Sequence, residues 1–220
     1  MKRLIVVKLS GHLIKYSNVI KETLSNIKLL STTASFVLVP GGSLFADSVR
    51  ELQEKLFFNN DIAHWLAIKA MEMYGSYIAN LDESNTVTEV YDLSEVYEAV
   101  SAGKIPILMP YRLMRKFDEL PHDWSVTSDS IAVYIASLLK ANMVIFAKPI
   151  SVMADEHGNI IRRITTKDLQ KLCSNIIDPY ATKLIIEMGL TAAIYNMLKP
   201  VTLRYIMNLK PGDYVLVEPS

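Results

Sequence analysis

The sequence predicts a three-layer α/β/α sandwich built on a mostly parallel central sheet. Short apolar runs such as Leu4–Val7 and Met143–Ala147 lack the in–out alternation of a half-exposed strand, so both sheet faces must be covered. These runs alternate with longer stretches whose apolar residues recur at helical spacing. Half of the 220 residues are hydrophobic, enough to fill an interface on each side of a sheet. That length fits one domain over residues 1–220.

The elements follow in order. Leu4–Leu9 reads as a strand, Asn18–Leu30 as a helix and Ser35–Val39 as a strand. Ser43–Phe58 and Asp61–Asn80 are long helices, the second with Ile62, Trp65, Leu66, Ala70 and Met73 on its apolar positions. Thr86–Val90 is a weak strand, Leu93–Ala102 a helix and Ile105–Met109 a strand. Ser128–Lys140 is a helix and Met143–Ala147 a fully apolar strand. Asp155–Asn159 forms a polar turn, and Thr166–Cys173 and Pro179–Met188 are helices, with Gly189 as the stop. Ala192–Tyr195 is a strand, Val201–Asn208 a helix and Tyr214–Val217 a closing strand.

Composition excludes several functions. The 23 basic and 23 acidic side chains cancel, and no long basic run offers an electrostatic footprint for nucleic acid. The N-terminal apolar run breaks at Lys8, too short for a signal peptide or a membrane span, which predicts a cytoplasmic protein with no membrane partner. The single cysteine, Cys173, rules out an intramolecular disulfide and a thiolate metal cluster, and reads as a buried small hydrophobe. No histidine pair has metal-ligand spacing, so no protein metal site is expected.

In such sheets ligands bind where the strands end. The first strand ends in Val7-Lys8-Leu9-Ser10-Gly11, where a lysine beside a glycine can meet a phosphate or can simply be a solvated lysine before a turn. The second ends in Gly41-Gly42-Ser43, and paired glycines ahead of a helix N-terminus let an anion approach the backbone. Asp47 and Arg50 share a face of that helix, as an ion pair or as groups facing the loop. His64, near the start of the next helix, reads either as a satisfied half-buried histidine or as an acid or base. Further on, the segment from His122 to Ser130 runs into an apolar helix. Thr127 or Ser128 can cap it, and Asp129 sits where the helix dipole favours a carboxylate. An ordinary cap needs one such side chain; the surplus fits a phosphate-handling site. No Walker sequence, dinucleotide fingerprint or Ser-His-Asp order is present. Cations and glycine amides at strand ends suit charge stabilisation on a transferring phosphoryl group.

These loops together resemble the amino acid kinase superfamily. Members open with a strand ending Lys-x-Gly-Gly-Ser, matched here by Lys8-Leu9-Ser10-Gly11-His12, and end their second strand in a glycine pair, Gly41-Gly42. Three blocks resemble the archaeal-type [5-(aminomethyl)furan-3-yl]methyl phosphate kinases: Pro40 to Arg50, Ala63 to Met71, and His122 to Ser130. The resemblance implies phosphoryl transfer from ATP, with Mg2+ on the nucleotide, to a small phosphorylated or carboxylated acceptor. It implies that Lys8, Asp129 and Lys183 are catalytic, with Asp129 holding the lysines. It implies that Gly11, Gly41, Gly42, Ser43 and Lys148 meet the nucleotide phosphates, the glycines through their amides. Asp47, Arg50, His64, Thr127 and Ser128 would face the acceptor. It also implies a homodimer or higher homo-oligomer, with Trp65 and the methionines of the Asp61–Asn80 helix at the interface.

The chain departs from the family at Ser10 and His12, and at Phe146 to Val152, where relatives carry a Thr-Asp-Val-Asp-Gly-like turn. It departs again at Tyr195-Asn196-Met197. The altered nucleotide turn leaves an alternative: a catalytically inactive relative that binds a metabolite or an anion.

Overall fold

The computed structural model describes residues 2–149, 157, 160–172 and 176–218. Its strands are β1 (Arg3–Leu9), β2 (Ala34–Pro40), β3 (Val87–Val90), β4 (Ile105–Leu108), β5 (Met143–Lys148), β6 (Arg163–Thr165), β7 (Ala192–Asn196) and β8 (Tyr214–Glu218). Its helices are α1 (Ser17–Leu30), α2 (Ser43–Leu56), α3 (Asn60–Asn80), α4 (Leu93–Ser101), α5 (Pro110–Lys116), α6 (Ser128–Leu138), α7 (Thr166–Leu172), α8 (Pro179–Glu187) and α9 (Thr202–Met207). A short 3-10 helix covers Gly11–Lys15.

All the strands join one sheet in the order β3-β4-β2-β1-β5-β7-β8-β6. Pairing is parallel except between β7 and β8. The apolar runs serve two cores at once, because successive side chains leave a strand on opposite faces. Val6 of β1 joins Val37, Phe146 and the apolar residues of α6 on one face. Ile5, Val7 and Leu9 pack with Ile20 and Ile27 of α1 on the other. Helix α3 feeds both cores, with Trp65, Ile68 and Met71 in the first and Tyr74 and Ile78 in the second.

Several sequence expectations are corrected. Ser43–Phe58 ends at Leu56, because Phe57 takes a left-handed conformation (φ 57°) and its amide bonds Gln53 O. Helix α5, not anticipated between the Ile105–Met109 strand and the Ser128–Lys140 helix, starts at Pro110, whose missing N–H is harmless at the first helical position. The 3-10 helix after β1 and the edge strand β6 were not anticipated: both are too short to show a hydrophobic period. Trp65 is 9% exposed and meets Tyr111 edge-on, so it is core and not an open interface residue. The exposed apolar residues of that region are Ile62, Leu66 and Met73 of α3, with Leu44, Leu52, Leu56 and Phe57 beside them. Cys173 and most of the Asp155–Asn159 turn lie outside the described residues.

The carboxyl ends of β1 and β2 meet through glycine. A Cβ on Gly11 would lie 2.2 Å from Ser43 N and 2.4 Å from its Cα, and one on Gly41 would lie 2.6 Å from Gly11 N. These neighbours are backbone and cannot swing aside. Ser43 has φ 56°, strained for a residue with a side chain, and its Oγ donates to Gly11 O at 3.0 Å. Gly11→Ala is therefore expected to destabilise the fold by about 1–3 kcal/mol, through forced backbone movement. A urea melt with an unchanged m-value checks this; an unmoved midpoint would show the loops to be free to separate.

Candidate active site

Lys8 pairs across the β1–β5 ladder with Phe146, and Lys148 lies two residues beyond Phe146. The period of two along a strand therefore puts both lysines on one face of the sheet, the face that α6 covers. Asp129, in the first turn of α6, enters between them. Lys8 Nζ stands 2.8 Å from Asp129 Oδ1 and Lys148 Nζ 2.6 Å from Oδ2. The Lys8 contact is an ion pair without hydrogen-bond alignment at Oδ1, whereas Lys148 donates a hydrogen bond.

All three side chains are largely buried, so the charge balance is felt strongly. Burial alone would raise the Asp129 carboxyl, but Lys8 and Lys148 outweigh it and hold the pKa below the usual value. Burial, then repulsion from Lys8, pulls Lys148 down to about 8. Two ammoniums share the one carboxylate they contact, and Asp178, which also lines the cleft, adds a further pull toward charged Lys148. An anion arriving there would relieve the repulsion.

The cluster opens into a cleft of about 900 Å3 at the strand ends, a size within the range of small-molecule sites. Gly11, Gly42 and Ser43 line it near the lysines, with Thr127 and Ser128 on the α6 side. Helix α2 has Gly42 as its N-cap and no side-chain cap bond, and Gly42 and Ser43 line the cleft, so its first-turn amides are not taken by a capping side chain. Gly41 differs from expectation. Its amide is committed to Leu9 O at 2.9 Å and it does not line the cleft; the glycine is needed for the close packing against Gly11.

The hydroxyl-rich start of α6 also differs. Thr127 caps α6, accepting from Asp129 N at 3.2 Å. The remaining polar capacity goes to Asp178. Its Oδ2 accepts from Thr127 N at 3.1 Å, Thr127 Oγ1 at 2.6 Å and Ser130 N at 3.1 Å. Its Oδ1 accepts from Ser130 Oγ and, as the cap of α8, from Ala181 N at 2.6 Å. One carboxylate thus closes two helix N-termini and fixes the turn that carries Asp129. The α6 terminus is already satisfied by Thr127 and Asp178, whereas that of α2 has no capping side chain. Sequence reasoning missed Asp178, although an aspartate directly before Pro179 is a helix-start signal.

Lys183 is corrected. It lies on α8 opposite the buried Ala181, Leu184 and Ile185, pairs with Glu187 at 3.7 Å, and is 55% exposed in its side chain. It does not line the cleft; Lys148 occupies the position beside Asp129 instead. The change is one of helix face: the residues flanking Lys183 are buried, and 3.6-residue periodicity then turns its side chain outward.

At the far end the cleft is lined by Asp47, Arg50, Asn60, His64, Asp123 and Trp124. Asp47 and Arg50 form no ion pair with each other. The Arg50 guanidinium lies over the Trp124 ring at 4.3 Å, and the indole N–H donates to Gln53 Oε1 at 2.6 Å. His64 is 7% exposed, more buried than a half-buried reading assumed. Among the described residues no three His, Cys, Asp or Glu side chains gather in a way that could hold a metal ion. No helix among them is long and apolar enough to cross a membrane. Of the altered turn after β5, residues 150–152 lie outside the described residues; Lys148 and Pro149 line the cleft.

The amino acid kinase family model matches residues 3–203, which carry this sheet and its lysine site, and the chain belongs to that family. Among characterised proteins, it is 28% identical over 214 residues to the [5-(aminomethyl)furan-3-yl]methyl phosphate kinase of Methanocaldococcus jannaschii, covering 96% of each chain. Among solved structures it is similar to UMP kinase from Ureaplasma parvum, with a TM-score of 0.75, 18% identity, and 99% and 96% of the two chains covered. Uridylate kinase from Archaeoglobus fulgidus matches with a TM-score of 0.74, 14% identity, and 98% and 99% coverage. The two structural matches speak for the fold.

Lys148 gives a test of the electrostatics. Lys8 favours its neutral form and Asp129 its charged form, so Lys8→Met should raise the Lys148 pKa from about 8 and Asp129→Asn should lower it further. NMR titration of the Lys148 side chain reads both shifts; a value near 10.4 in all three proteins would show the cluster to be loose. Asp129→Asn should also cost about 3–5 kcal/mol of stability, because two buried ammoniums lose their partner.

Proposed function

We propose that this chain catalyses ATP-dependent phosphoryl transfer to a small phosphate monoester, as a single amino acid kinase-like unit. The observation that carries the reading is the buried Lys8–Asp129–Lys148 cluster beside the uncapped N-terminus of α2. A transferring phosphoryl group spreads charge over its three equatorial oxygens, and catalysis of such a step is mainly positioning and charge stabilisation. Lys8 and Lys148 supply ammonium groups on one side and the α2 amides supply donors on the other. Asp129 keeps the lysines in place before substrate arrives, so little reorganisation accompanies the reaction. In the step, an acceptor phosphate oxygen forms a bond to the γ-phosphorus while the bond to the β,γ-bridging oxygen breaks, and ADP leaves.

Magnesium would neutralise phosphate charge while held by the nucleotide's own oxygens, since the described residues offer no carboxylate cluster and Asp129 is committed to lysines. Gly11, Gly42, Ser43 and Lys148 fall on the nucleotide-phosphate side. Asp47, Arg50 and His64 fall on the acceptor side, with Thr127 and Ser128 between. An acceptor related to [5-(aminomethyl)furan-3-yl]methyl phosphate is favoured by the likeness to the Methanocaldococcus jannaschii enzyme. The inactive alternative has no observation in its favour: the altered turn contributes, through Lys148, a second buried ammonium to the cluster. A homodimer or higher homo-oligomer would use the exposed apolar residues of α2 and α3, not Trp65.

The test is ADP release from Mg·ATP with this furan phosphate as acceptor, alongside calorimetric titration with Mg·ATP alone. Turnover is expected, falling about 100- to 1000-fold in Lys8→Met through loss of one charge-stabilising donor. Failure to bind nucleotide at millimolar concentration would sink the reading.

A further inference from the structure

The far end of the cleft holds a histidine that the lysine cluster does not use. His64 is 7% exposed, lines the cleft and makes no hydrogen bond among the described residues. Its ring has one N–H and one lone pair when neutral, and leaving buried polar groups unpaired costs about 1–3 kcal/mol. Stacking holds the ring in place. His122 lies face to face with it at 4.2 Å and 16°, and Trp65 meets it edge-on at 4.9 Å.

His122 is gripped at both nitrogens. Nε2 bonds Asp118 Oδ1 at 2.7 Å, and Nδ1 bonds Asp61 Oδ1. Ionised carboxylates only accept, so a ring bonded to two of them carries both protons and is an imidazolium. Burial works against that charge, but the two carboxylates prevail and raise the His122 pKa. A fixed cation stacked on His64 disfavours a second one. Burial acts the same way and more strongly, and His64 is pushed down to about 4 although Asp118, Asp61 and Asp123 pull upward. His64 is therefore neutral at pH 7.

A site for a phosphate would gain from a charged histidine; here the fold denies it that charge. The carboxylates on this stretch of cleft are Asp47 from α2 and Asp123 from the loop before α6. Asp47 makes no ion pair or hydrogen bond among the described residues, and Asp123 accepts one hydrogen bond, from Ser125 N at 2.8 Å. The one guanidinium, Arg50, lies over Trp124. An anion against this wall would meet two carboxylates and an uncharged ring. The residues lining this stretch give a primary ammonium two carboxylates and an uncharged imidazole as partners.

We propose that Asp47, Asp123 and the His64 ring, with His122 as its positioning residue, form a specificity wall for a primary ammonium on the acceptor, whose phosphate end would lie toward the lysine cluster. This rests on reading the cleft as the acceptor site of a phosphate-monoester kinase.

The test is calorimetric binding of two probes to the full chain. They are [5-(aminomethyl)furan-3-yl]methyl phosphate and the same compound with a methyl group in place of the aminomethyl. The amine is expected to bind at least about tenfold more tightly, because a site built for a polar group rejects an analogue that leaves it unpaired. Asp123→Asn, Asp47→Asn and His64→Phe should each shrink that ratio, His64→Phe while keeping the stack. Equal binding of the two probes overturns the ammonium wall, and turnover of both would leave the kinase reading standing. Preference for the amine without any transfer of phosphate upholds the wall and defeats the kinase reading. No binding of either at millimolar concentration defeats both.

Discussion

A single buried carboxylate placed between two ammoniums is the constraint on which the site depends. Asp129 reaches Lys8 at 2.8 Å and Lys148 at 2.6 Å from a helix crossing over the strands that bear them. Burying three charges is expensive unless each is paired, and here two ammoniums contact one carboxylate, with Asp178 acting on Lys148 from farther off. Those ammoniums are what an incoming phosphate would meet. The rest of the architecture keeps them in position. The β1–β5 register sets the lysines on one face, and Asp178 closes the helix ends that carry Asp129 and flank the cleft.

The two ends of the cleft solve different electrostatic problems. Near the sheet, two ammoniums contact one carboxylate and the α2 terminus has no capping side chain. At the far end, an imidazolium is locked behind His64 by two carboxylates, and the wall facing the cleft is neutral or acidic apart from Arg50. A substrate with one strongly anionic end and one cationic end would be oriented by such a gradient before any specific hydrogen bond forms.

Much of this was legible in the sequence. Apolar runs separated by helical periods gave the sheet and its layers, and the strand-end rule pointed to Lys8, the Gly41-Gly42 pair and the His122 to Ser130 segment. What was hidden depends on contacts between residues far apart in sequence. Asp178 lies 51 residues from Thr127, and nothing local in either segment announces their bond. Gly41 reads as an amide donor until the packing of two loops shows its amide already used. Lys183 has the right residue type in a plausible place, and only the helix face reveals that it looks away from the cleft. Lys148 was expected on the nucleotide side, but its partnership with Asp129 needed the strand register.

The most direct measurement of the central claim is a crystal structure with Mg2+, a non-hydrolysable ATP analogue and the furan phosphate together. The γ-phosphate is expected against both Lys8 and Lys148, within hydrogen-bonding distance of each, with Asp129 still between the lysines and its oxygens off the metal. A γ-phosphate bound elsewhere in the cleft, or Asp129 turned from the lysines to coordinate magnesium, would contradict that claim.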